Sequence, residues 1–373
     1  MLKIGVTIMY YTVSVALTLI LCMKFSTTYP ILDYEKARRF KNARTAFFVL
    51  LPMTFVAAFR WDVGVDSLYY GSYWQAYQQA AEGDNFREFE PLFFWFIRIF
   101  SSLKVPYFWF LFVHSLIFMS CVSYALYKGS IWTAWSIVVF FLFFVYFDCY
   151  SSLRQSLAEG ISMIAWAKMG ADKKGFKKDI SIVLLFLLAS LFHSIALINI
   201  PVYYLCRIRL PKNNFVLFLL MLILASPFLQ VVLRAIMRLI AGNDYTFVGL
   251  AVINAVMAGA ICFICWVFYD QIIAVHENAY CYLNLAGCIF ILLLNSNAMF
   301  LPFRVFDMLK IGYIFIIPYI LRSMKSRWNK VFITTSFALI LGIWFINSFF
   351  LQNSFVKFYH SVFKNWSTYS TLP

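Results

Sequence analysis

The amino-acid sequence predicts an all-α, polytopic integral membrane protein, and three observations lead to this prediction. Hydrophobic residues make up 63% of the 373 residues and aromatic residues 21%, while the mean hydropathy is +0.79; these values exclude an ordinary soluble domain. Apolar runs near membrane-spanning length recur along almost the whole chain. These runs are continuous rather than alternating, as expected of helices. We therefore expect one polytopic domain over residues 1–373, with about 10–11 transmembrane helices and one re-entrant or interfacial helix.

The net charge of +15 comes from 31 basic and 16 acidic residues, and the dense basic clusters flank apolar runs. Lys and Arg beside transmembrane helices stay preferentially in the cytoplasm, so these clusters set the predicted orientation. Nucleic acid is not an expected partner, because the clusters are short and separated by apolar runs. The clusters are Lys24–Arg44, Lys168–Lys178, Arg207–Lys212 and Arg322–Lys330.

The first elements place a long polar loop outside the membrane. We expect a helix over Ile4–Met23, a basic cytoplasmic connection, and a returning helix over Thr45–Phe59. The loop Arg60–Glu90 is then external. The next apolar run, Pro91–Leu103, is only about 13 residues long, too short to cross comfortably, and has Arg98 in its middle. We expect it to be the re-entrant or interfacial helix, on the outer side.

The remaining apolar runs are predicted to cross the membrane, with one exception. Ile180–Cys206 is a long stretch interrupted by His193 and Ser194, so we expect two short arms that meet there and have both basic ends inside. Irregular backbone at membrane depth is tolerated only where it is buried in protein or lines a cavity, which makes this break a candidate site. The predicted crossings are Tyr107–Tyr127, Ile131–Phe147, Tyr150–Trp166, Phe215–Val232, Leu250–Tyr269, Tyr280–Met299, Val305–Leu321 and Val331–Phe350.

Isolated ionisable residues gather on the predicted outer side, although the orientation rests on the dense basic clusters alone. Ionisable groups at membrane depth are costly and usually mark function. Their common side is therefore the main functional signal in the sequence. The residues are Arg60, Asp62, Asp66, Glu90, Arg154, His193 and Arg304.

Arg60 joins the second helix to the external loop and is the main candidate for a phosphate contact. Guanidinium groups bind phosphate oxygens bidentately and keep their charge, and Gly64 in the same loop would let backbone approach a ligand closely. Arg154 and Arg304 are further candidates, since two or three such groups suit a diphosphate and would stabilise it as a leaving group. The alternative for these two is that they only extend to the membrane interface, with Asp307 near enough in sequence to pair with Arg304.

His193 and Asp66 are the candidates for a general base. A neutral imidazole at His193 can accept a proton from a hydroxyl group, although a lone histidine in an apolar region is more often structural. Asp66 competes for this role, and Asp62 and Glu90 are weaker candidates. Because the spacing of Asp62 and Asp66 in a loop is only a weak metal signal, we predict no metal site and no cofactor.

The candidate sugar contacts are polar and aromatic side chains. Gln155 and Glu159 are one helical turn apart and could contact a sugar or hold Arg154. No phosphate-binding loop or dinucleotide motif occurs in the sequence, which argues against a nucleotide-sugar donor or an ATP-driven step. Aromatic rings in the external loop suit the membrane interface and also sugar stacking; they are Trp61, Tyr69, Tyr70, Tyr73, Trp74 and Tyr77.

Several of these residues lie in short motifs that resemble the EpsG-like family of exopolysaccharide, capsule and O-antigen polymerases, the Wzy-type enzymes. The order and spacing of the motifs extend the resemblance from Arg60 to Arg304. The matching pieces are Arg60 with Val63-Gly64-Val65-Asp66 and Tyr69, Glu90-Pro91-Leu92-Phe93, Leu153-Arg154-Gln155 with Ala158, Leu191-Phe192-His193-Ser194-Ile195-Ala196-Leu197, and Arg304.

The resemblance implies a GT-C-like polymerase in the bacterial inner membrane. A glycan on undecaprenyl diphosphate would be moved onto a lipid-linked repeat unit at the external face, with a flippase and a chain-length regulator as possible partners. Arg60, Arg154 and Arg304 would hold the diphosphates, and His193 or Asp66 would deprotonate the acceptor. The remaining substrate contacts would come from Gly64, Tyr69, Glu90, Gln155 and Ser194.

Two alternatives remain open at this point. An O-antigen ligase shares the lipid donor but tends to carry a larger external domain late in the chain, whereas the late external loops here are short. A lipid-linked oligosaccharide flippase or other transporter would be expected to show internal repeats and charges at mid-membrane. Neither feature is indicated by the sequence.

Overall fold

The structure, a computed structural model, confirms the predicted all-α, polytopic membrane fold. It describes residues 2–32, 35–61, 73–83, 89–171, 175–209, 211–221, 224, 251–274, 278–294, 300–346, 349 and 360–361. The helices are α1 Leu2–Phe25, α2 Ala43–Ala58, α3 Tyr73–Glu82, α4 Pro91–Ser102, α5 Tyr107–Gly129, α6 Thr133–Leu142, α7 Val145–Ser151, α8 Leu153–Ala171, α9 Phe176–Ser190, α10 Asn199–Cys206, α11 Lys212–Met221, α12 Ala251–Val267, α13 Tyr269–Ile273, α14 Ala279–Leu294, α15 Phe300–Lys310, α16 Tyr313–Ser323 and α17 Arg327–Ile346.

Within the described residues, three helices are long and apolar enough to cross a membrane. They are Thr7–Phe25, Tyr107–Gly129 and Arg327–Ile346, and the bent pair α6–α7 would make a fourth. The predicted total of about 10–11 crossings stays a prediction. Shorter apolar helices are Ala43–Ala58, Pro91–Ser102, Ser194–Cys206, Lys212–Met221, Ala255–Val267, Ala279–Ile291 and Tyr313–Ser323.

Two runs that were predicted as single helices are each divided into two. The run 131–147 bends by 45° between α6 and α7, where Phe144 has a left-handed backbone with φ of 68°. The run 305–321 is interrupted between α15 and α16 at Gly312. A Cβ at Gly312 would lie 2.5 Å from Leu285 Cδ2, so glycine is needed for the close approach of this segment to α14.

The basic connection after α1 forms a hairpin that the sequence analysis did not predict. Strands β1 Ser26–Leu32 and β2 Glu35–Phe40 pair antiparallel, with Ser26 opposite Phe40. Asn42 follows as the N-cap of α2, and its Oδ1 accepts a hydrogen bond from the Thr45 N–H at 2.8 Å. This cap satisfies one of the N–H groups that every helix leaves unpaired at its start.

The predicted break in the run 180–206 is confirmed. Helix α9 ends at Ser190, a 3₁₀ turn covers Ser194–Ile198, and α10 follows at once. His193 lies between them in an extended conformation, with φ of −154° and ψ of 114°. Buried Asn199 holds the turn, because its Nδ2 donates to Ala196 O at 2.9 Å. The break at His193 is therefore a hydrogen-bonded and partly buried segment, in agreement with the need to pair irregular backbone within a membrane protein.

Helix α8 lies in the centre of the packed core and separates two polar ends. Gly160 allows α8 to approach α5 closely, since a Cβ there would lie 3.1 Å from Cys121 Cβ and 3.2 Å from Phe118 Cδ2. The helix has 19 residues and is about 28 Å long. Arg154 lies in its first turn and Lys168 in its last, so a site at Arg154 is well separated from the basic end.

The C-terminal segment returns to the end of α2. Strand β3, Arg60–Trp61, pairs antiparallel with β4, His360–Ser361, with Arg60 opposite Ser361. Backbone pairing requires both segments to lie on the same face of the protein. The predicted orientation, which puts Arg60 and the tail after α17 on one side, agrees with this pairing.

Candidate functional site

The carboxylate of Glu90 joins three separate parts of the chain. Arg154 Nη1 lies 2.5 Å from Glu90 Oε2, and His193 Nδ1 lies 2.7 Å from Glu90 Oε1. The Ser194 N–H donates to the same Oε1 at 3.1 Å, although the two residues are 104 positions apart. We call these four residues, Glu90, Arg154, His193 and Ser194, the Glu90 cluster. All four were predicted site residues, and the structure brings them together.

Local structure explains how each member is held. Glu90 is the N-cap residue of the short helix α4, Arg154 begins α8, and His193 is the extended residue at the helix break. The Leu92 N–H donates to Leu191 O at 3.0 Å, which ties the start of α4 to the break. The short helix and the helix break that the sequence predicted are therefore in direct contact.

The charges in the Glu90 cluster keep Glu90 ionised. Burial opposes ionisation, but the hydrogen bond from His193 and the positive charge of Arg154 outweigh it and lower the pKa of Glu90 from 4.5 to about 2. An ionised carboxylate only accepts hydrogen bonds, so His193 Nδ1 carries the proton of their shared bond. In the neutral imidazole, Nε2 is then the nitrogen that can take up a proton.

The Glu90 cluster is partly exposed. The exposed fractions of the side chains are 22% for Arg154, 14% for Glu90 and 15% for His193. The Arg154 guanidinium lies 5.2 Å from the centre of the Phe89 ring, and it donates a further hydrogen bond to the Tyr73 hydroxyl oxygen. A ligand can therefore reach a cation and an imidazole whose positions are set by one carboxylate.

Arg60 lies deeper than the Glu90 cluster, and its side chain is 1% exposed. Its Nη1 donates to Ala57 O and to Ser115 Oγ, both at 2.6 Å. Its Nη2 is 3.5 Å from His114 Nδ1, and the guanidinium lies 5.2 Å from the centre of the Tyr150 ring. Among the described residues, the structure pairs Arg60 with no carboxylate.

A third polar group contains buried charges of both signs. Lys310 Nζ lies 2.8 Å from Asp148 Oδ2 and 2.9 Å from Asp307 Oδ1. Asp307, which sequence proximity suggested as a partner of Arg304, thus pairs with Lys310. Glu159 is fully buried beside them. This Lys310 cluster holds α15 against α7 and α8.

Other predicted site residues have different positions. Gln155 is buried, and its Nε2 donates to Glu159 Oε1 at 2.7 Å; a contact of these two residues with a sugar or with Arg154 stays a prediction. Arg304 lies in α15, and its side chain is outside the described part. Asp62, Gly64, Asp66 and Tyr69 also lie outside the described residues. In the described ranges, no group of three or more His, Cys, Asp or Glu could hold a metal ion.

The sequence analysis missed His114, Asp148 and Lys310 as site candidates. A signal was present, because each is an ionisable residue within an apolar run. His114 is 0% exposed and its Nε2 lies 2.9 Å from Leu153 O. Only the packing of α5 against α8 shows that this histidine reaches the residue next to Arg154.

Comparison with known proteins identifies one family. A family model described as the EpsG family matches residues 44–364, a range that contains every member of the Glu90 cluster. No curated protein and no solved structure matches the chain. The EpsG family model covers most of the chain, from the start of α2 to beyond β4.

Proposed function

This chain belongs to the EpsG family, and we propose that it transfers a growing glycan from undecaprenyl diphosphate onto a lipid-linked oligosaccharide repeat unit. Membership of the family indicates an exopolysaccharide-related polymerase in a membrane. The lipid carrier, the acceptor and the catalytic residues are parts of the proposal. We further propose that the protein lies in a bacterial inner membrane with its active site facing outward.

The proposed reaction needs one base and one cation. The oxygen of an acceptor hydroxyl forms a bond with the anomeric carbon of the glycan, and the bond between that carbon and the diphosphate oxygen breaks. The bonding electron pair leaves with undecaprenyl diphosphate, and the acceptor proton passes to His193 Nε2. Arg154 stabilises the charge that develops on the diphosphate. Glu90 orients His193 and stabilises the imidazolium that forms.

One observation carries this proposal: a single carboxylate, Glu90, binds both Arg154 and His193. Because each partner uses a different carboxylate oxygen, the base and the cation are held at a fixed separation. Such pre-positioning is the main contribution that an enzyme can make when no cofactor supplies the chemistry. Since Arg60 is 1% exposed, we assign the direct diphosphate contact to Arg154. Arg304 remains a proposed second contact and Asp66 an alternative base.

The proposed orientation is supported by the separation of the two ends of α8. The Glu90 cluster lies at the start of this helix, whereas Lys168 at its end donates to Ser181 and Lys178 donates to Met169 O. Basic residues collect on the cytoplasmic side of membrane proteins, which leaves the Glu90 cluster for the outer side. A flippase would supply the lipid-linked units there, and a chain-length regulator would act on the same polymer.

The experiment that tests the function uses the purified protein in liposomes that contain undecaprenyl-diphosphate-linked repeat units. We expect the wild-type protein to produce glycans longer than one unit, resolved by gel electrophoresis. Arg154→Ala and His193→Ala should each lower the rate of unit addition by about 100-fold or more, because they remove transition-state charge stabilisation and general-base catalysis. Arg98→Ala is the matched control, since Arg98 is an exposed arginine of α4 that lies over the Phe94 ring.

Three outcomes would contradict the proposal. If Arg154→Ala and His193→Ala both made polymer at the wild-type rate and length, the proposed roles of Arg154 as the cation and His193 as the base would be refuted. Transfer of single units to a lipid A core without polymer growth would indicate a ligase instead. Movement of the lipid-linked unit across the bilayer without any new glycosidic bond would indicate a transporter.

A further inference from the structure

His114 is a fully buried histidine that contacts both Arg60 and the beginning of α8. Its Nδ1 lies 3.5 Å from Arg60 Nη2. Its Nε2 lies 2.9 Å from Leu153 O and 3.1 Å from Ser156 Oγ. His114 is therefore placed between the end of α2 and the first turn of α8, and both of its ring nitrogens have partners.

The partners assign the tautomer of His114. A guanidinium only donates hydrogen bonds, so Arg60 Nη2 must donate and His114 Nδ1 must accept. The ring is then neutral and carries its proton on Nε2, which donates to Leu153 O. The Ser156 hydroxyl donates to the same carbonyl at 3.0 Å. The Leu153 carbonyl only accepts and therefore requires the proton on Nε2, while Arg60 excludes a second proton on Nδ1.

The carbonyl that His114 binds belongs to the peptide bond between Leu153 and Arg154. Arg154 in turn binds Glu90 and so contributes to the Glu90 cluster. Arg60 is itself held by Ser115 Oγ and Ala57 O, which means that it can serve as a fixed anchor for the imidazole. A continuous set of hydrogen bonds therefore runs from α2 through α5 to the peptide unit that carries Arg154.

We infer that His114, held by Arg60, is a positioning residue that sets the backbone of Arg154 through the Leu153 carbonyl. This inference rests on the proposed function, because it concerns the placement of the proposed diphosphate-binding arginine. His114 touches no substrate in this scheme. A displacement of about 1 Å in a group that stabilises the transition state lowers catalysis by about 100-fold, so the loss of this support is measurable as a reduced rate.

The two ring nitrogens can be tested separately by amide substitutions. His114→Gln can place an amide N–H near the position of Nε2 and keep the bond to Leu153 O. His114→Asn can place an acceptor near Nδ1 for Arg60 but is too short to reach Leu153. We expect His114→Leu and His114→Asn to lower kcat for unit addition by about 10- to 100-fold. We expect His114→Gln to keep most of the wild-type kcat.

A double substitution tests whether Arg60 and His114 act as one unit. If Arg60 works by fixing His114, then the kcat of Arg60→Met combined with His114→Leu should equal that of the slower single variant. Independent roles would instead multiply the two losses. Ser123→Ala is the matched control on α5, because it removes a buried hydroxyl that donates to Met119 O within the same helix, and it should keep the wild-type kcat.

The outcomes separate this inference from the proposed function. If the wild-type protein forms no polymer from the lipid-linked units, the proposed function fails. If the wild-type protein is active and Arg154→Ala is inactive, while His114→Asn and His114→Leu keep the wild-type kcat, only the positioning role is overturned. Equal activity of His114→Gln and His114→Asn at equal thermal stability would also overturn it. If His114→Leu cannot be purified, the comparison of the two amide variants decides the question.

Discussion

Replacement of Glu90 by glutamine tests the electrostatic basis of the Glu90 cluster. The substitution keeps the size of the side chain but removes the negative charge that Arg154 and His193 share. An amide can still accept a hydrogen bond through its oxygen, although its nitrogen presents a donor where His193 or Arg154 also donates. We therefore expect Glu90→Gln to be folded but less stable, and to lose most of its polymerising activity.

The magnitude follows from the pKa of Glu90, which the fold lowers from 4.5 to about 2. A tenfold change in proton affinity corresponds to about 1.4 kcal/mol, so the ionised form contributes about 3 kcal/mol as an upper value. This contribution is fully present above pH 4.5, which is the pKa of the Glu90 carboxyl in the unfolded chain. It decreases as the pH falls and is lost near pH 2. The stability difference between Glu90→Gln and the wild-type protein should shrink over the same range.

The assay is unfolding of the detergent-solubilised proteins at a series of pH values from 2.5 to 8. Groups that do not contact Glu90 titrate alike in both proteins, so the difference reports Glu90 together with the His193 imidazole that it binds. The control is Glu82→Gln, an exposed carboxyl at the end of α3, which should change the free energy of unfolding by less than about 0.5 kcal/mol. Equal stability of Glu90→Gln and wild type at pH 7, or a difference that persists unchanged to pH 2.5, would refute the reasoning.

Three further substitutions test the packing and the backbone conformation of the fold. Lys310→Met should destabilise the fold by about 3–5 kcal/mol, because it leaves the buried carboxylates of the Lys310 cluster without their cation; an unchanged unfolding midpoint would contradict this. Gly170→Ala should lower the free energy of unfolding by about 1–3 kcal/mol through overpacking, since the new Cβ would collide with the Tyr282 hydroxyl and ring. Thermal unfolding measures this loss of stability, and adding Tyr282→Phe to the Gly170→Ala variant should recover part of it. Lys104→Gly should stabilise the protein by about 1 kcal/mol, because Lys104 has a left-handed φ of 51°, and a lower unfolding temperature would exclude strain at this residue.

The predicted break at His193 and the short helix at Pro91 were both confirmed, but only the short helix has a purely local cause. A run of about 13 apolar residues is too short to span a bilayer wherever it occurs, whereas the same His-Ser pair that marks the break also lies inside the continuous helix α5, at His114-Ser115. The bend at Phe144 has no such cause in its sequence, since Leu-Phe-Phe-Val reads as continuous helix. The left-handed residue there is imposed by the packing of α6 and α7 against their neighbours. The hairpin β1–β2 was missed because β1 contains a proline, β2 is basic, and neither strand shows a clear alternating pattern.

The sequence by itself determined the membrane class and the existence of most helices. These properties depend only on composition and on the order of apolar and basic segments along the chain, both of which are visible in the sequence. Which polar groups pair was decided only by the tertiary structure. The pairing of Glu90 with His193, of Asp148 with Lys310 and of His114 with the Leu153 carbonyl depends on how helices far apart in the chain rotate and approach one another, and no local pattern specifies those rotations.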